Sequence, residues 1–215
     1  MSRRLIELEA EVADWLEQLL TAQFAAVAFA MHLIAAYGAL RADPRVQYLG
    51  NRFHPMNVMR FYLDTEPMGL SYWCAPERRT VILTVWRVSR ICEAAEAARA
   101  RQALHRCAGH LPHPHDQHHN WAELSARRML EPGAADSYRQ AAAAHVFGQA
   151  VHLQRARHHL SVEELAAAAD TTDSLINRCE VGGLPPTTPL AARIAAALSC
   201  EQLLTRPLDP PAVPA

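Results

Sequence analysis

Lysine is absent from this chain of 215 residues, so every permanently charged basic side chain is an arginine; together with the abundance of alanine, this reads as the mark of a GC-rich genome rather than of a function. No apolar run is long enough for a bilayer. The richest, 24–37, is short and contains His32, which excludes a membrane span and fits a buried helix. An export segment is missing as well, because Met1-Ser2-Arg3-Arg4 leads into Glu7, Glu9 and Glu11 rather than an apolar core. The cysteines, Cys74, Cys92, Cys107, Cys179 and Cys200, form no CxxC pair and are odd in number, so reduced thiols in a cytosol are expected and a disulfide framework is not. A strong charge of either sign is lacking too: 13 arginines face 11 acids up to Cys107, and 8 face 11 beyond it, for a net charge of −1. That slight opposition favours the two halves meeting.

The chain's length and its half-apolar composition allow one sizeable core or two small ones, and the residue pattern decides for two. In the C-terminal part, Ser161 is placed to cap a helix, Glu164 to complete a capping box, and Leu160 to pack on Leu165. The helix is expected to run to Ala169. Asp170 stands at a sharp turn, where an aspartate tolerates left-handed backbone, and Thr172 can cap the next helix over 173–179. Gly182-Gly183 and Pro185-Pro186 end that helix. Thr187 or Thr188 then starts another, with Pro189 in its first turn and Leu190, Ile194, Ala197 and Leu198 at helical spacing.

The N-terminal part begins with a strand-like Arg4-Leu5-Ile6-Glu7-Leu8, followed by helices over 12–20 and 24–37 that make a hairpin. Three runs of strand character come next, 56–63, 70–75 and 80–86. Breakers at Glu66-Pro67, Gly69 and Pro76-Glu77 separate them, which implies an antiparallel meander. A third helix starts from Ser89, acidic early and basic late as its dipole favours. Between the halves, 108–120 is rich in proline and histidine and reads as an extended linker. Within it His113, His115, His118 and His119 lack regular ligand spacing, so no metal is expected there.

Leu-Ser-x-Glu-Glu-Leu-Ala from Leu160, Thr-Asp-Ser-x-Ile-x-Arg-x-Glu from Thr172 and the Gly-Gly-x-x-Pro-Thr that follows resemble Cro/CI-like (XRE) helix-turn-helix repressors and HigA-like antitoxins. The antitoxin-like part is taken to open at Trp121-Ala122-Glu123-Leu124 and to continue through a helix over 141–157. The set Glu9 to Glu17, Met59-Arg60-Phe61-Tyr62-Leu63, Ser71-Tyr72-Trp73, Arg78 to Arg87 and Ala98-Arg99-Ala100-Arg101 is similar to RelE/ParE-superfamily toxins of the HigB kind. The fold class implied is α+β, a RelE-like helix hairpin packed on an antiparallel sheet with a C-terminal helix, followed by an all-α Cro/CI-type domain. The implied domains are 1–107, a linker over 108–120, 121–205 and a proline-rich tail over 206–215.

The resemblance implies a toxin-antitoxin fusion in which a ribosome-dependent mRNA interferase is restrained by a DNA-binding, autoregulating antitoxin. Arg60, Arg87 and Arg90 would hold the RNA backbone and stabilise charge on phosphorus, with Tyr72 stacking or moving a proton. Thr172, Asp173, Ser174, Asn177 and Arg178 would face DNA. The expected partners are operator DNA, mRNA on the ribosome, the complementary half of the chain or of another copy, and a second copy in a homodimer; no cofactor and no membrane are expected. Gly69 and Val88 stand where the toxins carry cations, and Asp173 where an amide is usual. The alternative reading is therefore an XRE-family regulator whose toxin fold survives, without catalysis, as an interaction domain.

Overall fold

The computed structural model describes residues 4–39, 43, 45–49, 56–89, 93–109, 118–201 and 203. It divides into two compact units, Met1–Ala134 and Ala135–Val213, the first of mixed α and β structure and the second all helical.

Unit 1 opens with β1 (Leu5–Leu8), whose Ile6, Glu7 and Leu8 are buried, and turns directly into α1 (Ala10–Gln18). One face of α1 buries Val12, Ala13 and Leu16. The next helix, α2 (Thr21–Tyr37), is buried from Phe24 to Ile34 on nearly every side, as a core helix must be when its apolar residues are not confined to a stripe. It ends at Gly38, whose φ of +68° lies in the region that favours glycine. After β2 (Val46–Tyr48) come the long strands β3 (Met56–Leu63), β4 (Glu66–Cys74) and β5 (Arg79–Arg87), then α3 (Glu93–Gly109), β6 (His119–Asn120) and α4 (Trp121–Arg128).

The meander is antiparallel, as consecutive strand-type runs separated by breakers predict, but the turns lie elsewhere. Glu66, Pro67 and Gly69, expected as connector, are inside β4. The two-residue loop is Asp64-Thr65, with Asp64 at φ +53°, and the second hairpin turns through Glu77 and Arg78 at +56° and +58°. The whole sheet has six strands in the order β2-β3-β4-β5-β1-β6 and is mixed, because β1 lies parallel to β5 with Leu5 opposite Arg79 and Leu8 opposite Ile82. On one sheet face, Ala100, Ala103, Leu104 and Cys107 of α3 pack on Met56, Trp73, Val81 and Leu83. The hairpin helices take the other, with α1 against β5 and α2 against β1 and β3.

The expected boundary at 107–121 is corrected. The resemblance places α4 at the opening of the second domain, yet Trp121 stacks on Phe24 of α2 with ring centroids 5.6 Å apart, and the Arg128 guanidinium lies 4.7 Å over the same ring. Arg128 also donates to the carbonyls of Leu16, Glu17 and Leu19 at the C-terminal end of α1. A helix that finishes another helix's hydrogen bonding belongs to the same folding unit. Of the expected linker, 110–117 lies outside the described residues, as does the tail from 206.

Unit 2 consists of α5 (Ala134–Arg157), α6 (Val162–Ala168), α7 (Asp173–Glu180) and α8 (Pro189–Ala197). Ser161 and Glu164 form the capping box foreseen in the sequence, Thr172 and Thr188 cap α7 and α8, and Asp170 sits at φ +49°. Phe147, Val151, Leu165, Ile176, Cys179, Ile194 and Leu198 form its core. Gly148 lets α5 approach the end of α7 closely, since a Cβ there would lie 2.2 Å from the Cys179 carbonyl oxygen.

Candidate functional site

Three sets of polar side chains are candidates, two of them foreseen in the sequence. The arginine set of unit 1 does not come together. Arg60 on β3 is opposite Gly69 of β4, which is opposite Trp86 of β5; Arg87 is opposite Met68, which is opposite Phe61. Cross-strand partners share a face and successive residues alternate, so Arg60 and Arg87 project from opposite faces of the sheet. Arg60 Nη2 donates to Gln47 Oε1 at 3.1 Å, while the exposed Arg87 pairs with Glu66 at 3.2 Å. Arg90 lies outside the described residues.

Tyr72 is corrected outright: it is fully buried on the face that α2 covers, its hydroxyl donates to the Gly38 carbonyl at 3.2 Å, and burial raises its pKa above the usual value. It is a core side chain with an internal hydrogen bond, remote in function from any RNA-facing surface. Gly69, expected from the resemblance to replace a cation, lies so close to Trp86 that a Cβ would be 2.6 Å from its ring. The Trp86 side chain occupies the space an arginine there would need.

The set in unit 2 is arranged differently. α6 and α7 are joined by a short turn through Ala169, Asp170 and Thr171, whose sharpness the left-handed Asp170 permits. Below, Ile176, Cys179 and Glu180 are buried; on the outer side Thr172, Asp173, Ser174 and Asn177 are all exposed. Four of the five expected residues thus share one solvent-facing edge. Arg178 is partly buried, and its Nε donates to the Gly183 carbonyl at 2.8 Å, fixing the loop after α7. Glu180 instead accepts a two-pronged hydrogen bond from Arg155 of α5, with Nη2 to Oε2 at 2.8 Å, and a third contact from His152 at 2.8 Å. Burial alone would raise the Glu180 pKa, but these donors outweigh it and hold the carboxyl below its usual range.

The third set was not foreseen. At the exit of β1, Glu7 and Glu9 meet Arg79 of β5, Arg106 and Cys107 near the end of α3, and His118 just before β6. Arg79 grips Glu7 through Nε and Nη2, both at 2.7 Å, in a buried pair. His118 Nδ1 lies 3.1 Å from Glu7 Oε2, and its Nε2 lies 3.2 Å from Glu9 Oε1. The Cys107 thiol donates to the same Glu9 oxygen at 2.9 Å, with Sγ 3.5 Å from His118 Nε2. Arg106 Nη2 is 3.7 Å from the other Glu9 oxygen.

Burial opposes ionisation of Glu9, yet hydrogen bonds from His118 and Cys107 hold its pKa below the ordinary value; the same contacts raise that of His118, chiefly through Glu9. Burial and the neighbouring Glu9 push the Cys107 thiol up to about 12. Among the described residues, Glu9, Cys107 and His118 are the set of cysteine, histidine and carboxylate donors that converges closely enough to share one ion. Two signals in the sequence pointed this way: a glutamate between Ile6 and Leu8 in a buried strand needs an internal partner, and Cys107 continues the apolar stripe Ala100, Ala103, Leu104 of α3. The local spacing of the histidines says nothing of this set, because the carboxylate neighbours of His118 are about a hundred positions away and its sulfur neighbour, Cys107, lies in α3.

The chain matches no family model, and no curated protein or solved structure matches it either.

Proposed function

We propose that the protein is a DNA-binding regulator of the helix-turn-helix kind, and that its N-terminal unit serves interaction rather than RNA cleavage. The observation that carries this reading is the α6–α7 pair: two short capped helices around a left-handed aspartate, with Thr172, Asp173, Ser174 and Asn177 on one exposed edge over a closed apolar core. A helix presented in this way can enter a major groove with its N-terminal half foremost. The Thr172 and Ser174 hydroxyls then serve phosphate oxygens, the Asn177 amide reads a base edge, and the Asp173 carboxylate, which repels phosphate, accepts a hydrogen bond from a cytosine amine. Arg178 braces the loop that follows the helix. A two-fold operator calls for two such helices and hence for a homodimer.

The cleavage reading loses its support at the residues assigned to it. Two cations stabilising one phosphorus must converge on it, and Arg60 and Arg87 diverge while Tyr72 is in the core. The test is binding of the full chain to DNA from upstream of its own coding region, measured by fluorescence anisotropy over a range of salt. Saturable binding that weakens with salt is expected, with the Ser174→Ala/Asn177→Ala variant losing about tenfold or more, in line with about 1–3 kcal/mol per lost base contact. No binding at low salt overturns the reading. Expression of residues 1–134 alone is expected to be harmless; growth arrest that Arg60→Ala relieves would restore the interferase reading in its place.

A further inference from the structure

We propose that Glu9, Cys107 and His118 bind one zinc(II) ion, with Glu7 orienting the histidine from behind. The donors are of three kinds, one sulfur, one imidazole nitrogen and one carboxylate oxygen, a mixture suited to a borderline-soft dication and unsuited to magnesium or calcium, which take oxygen. Their spacing is already close to that of a tetrahedral site. With ordinary zinc–ligand lengths, the donor-to-donor edges of a tetrahedron are about 3.3–3.6 Å. The edges here are 3.5 Å from sulfur to nitrogen, 3.2 Å from nitrogen to oxygen and 2.9 Å from sulfur to oxygen. The nitrogen–oxygen edge needs to lengthen only slightly; the sulfur–oxygen edge, closed by the thiol's hydrogen bond to Glu9, must open most.

The surroundings are those of a supported metal ligand set. Zinc-binding histidines usually present their second nitrogen to a carboxylate, which fixes the ring and its tautomer, and Glu7 Oε2 stands 3.1 Å from His118 Nδ1 in that role. Glu7 is in turn held by both prongs of Arg79, so its charge is balanced and its position fixed. Arg106 approaches Glu9 through the oxygen that the other two donors do not touch. On binding, the Cys107 Sγ–H bond breaks and the thiolate pair forms the bond to zinc; His118 keeps its Nδ1 proton toward Glu7 and gives up the Nε2 proton that faces Glu9, freeing that lone pair for the metal, and both released protons pass to solvent. No electron is transferred. With three protein ligands, a fourth position remains for water or another small donor.

The same cluster is poorly suited to nucleophilic catalysis by Cys107. Its thiol is buried and donates to the Glu9 carboxylate, and both the burial and that negative charge oppose formation of an attacking thiolate. Metal binding uses what the cluster offers. The donors come from the exit of β1, the last turn of α3 and the residue ahead of β6, so a bound ion clamps the start of the unit to two segments about a hundred positions further along the chain.

The test uses the full chain, stripped with a chelator, shown to be folded by circular dichroism, and titrated with zinc(II) or with cobalt(II) as a coloured probe. One equivalent per chain is expected, with cobalt giving thiolate-to-metal charge-transfer absorption. In folded variants, Cys107→Ser should abolish that band, His118→Gln should weaken binding about a hundredfold or more, and Glu7→Gln should weaken it about 10–100-fold. A variant with His113, His115 and His119 all changed to alanine should keep both stoichiometry and band. Absence of the band from the folded natural chain overturns the proposal, as does its survival in Cys107→Ser or its loss in the triple histidine variant. Should Cys107→Ser fail to fold, unchanged affinity in folded His118→Gln overturns it equally.

Discussion

Single side chains and single glycines decide much of this molecule, because several sit where one atom more or one charge less has no place to go. Gly148 is the clearest. Its Cβ would lie 2.2 Å from a backbone oxygen, which cannot swing aside as a side chain can, so Gly148→Ala should destabilise unit 2 by about 1–3 kcal/mol or more and lower its denaturant midpoint. At Gly69 the obstacle is the Trp86 ring. Gly69→Arg should therefore cost unit 1 stability rather than restore a phosphate-binding surface, and a thermal melt of the variant reads the difference. The buried Glu180–Arg155 pair has a pH signature. Because the folded state holds the Glu180 carboxyl below its usual value, the pair's contribution is complete above the unfolded value of about 4.5 and is lost as pH falls through the lower folded value. Glu180→Gln should flatten that acid-side loss while costing about 3 kcal/mol near neutrality, since it leaves the Arg155 guanidinium half-paired in a mostly buried place.

At the scale of elements, local chemistry made the helical unit readable. Ser161 with Glu164, Asp170, Thr172 and Thr188 each act within a few residues of chain, and each does in the structure what its type and position imply. Ser161→Ala should accordingly cost about 1 kcal/mol, whereas Asp170→Gly should be tolerated because φ there is +49°. The three meander strands are readable from their strand-type runs, β3 to the residue, and so is their antiparallel order, but the place of β1 and β6 in the sheet is not. Nothing local announces that β1 lies parallel to β5 or that β6 pairs with β1, since parallel pairing joins residues some seventy positions apart. The Glu7, Glu9, Cys107 and His118 cluster escaped for the same reason: it assembles only after β1, α3 and β6 have been brought side by side. The role given to Tyr72 comes from the resemblance, which carries a residue type but not the face it occupies, and the strand turns its side chain into the core with the hydroxyl on the Gly38 carbonyl.

On the scale of the whole chain, the division at Ala134/Ala135 replaces the one suggested by the proline- and histidine-rich stretch. A stretch rich in proline and histidine need not mark where a folding unit ends, and here the chain beyond it adds β6 and α4 to the first unit. A fragment of residues 1–107 should therefore be markedly less stable than 1–134, because it leaves Phe24 without Trp121 and the α1 carbonyls without Arg128. Limited proteolysis of the two fragments distinguishes them, and equal resistance would contradict the placement of α4. No helix among the described residues is long and apolar enough to cross a membrane.

The proposed function rests on the exposed edge of α7. Amide hydrogen exchange of the full chain, with and without DNA from upstream of its coding region, interrogates that edge directly. Protection appearing over residues 172–178 on addition of DNA is the predicted result; binding that leaves those amides unchanged and protects the sheet of unit 1 instead would contradict it.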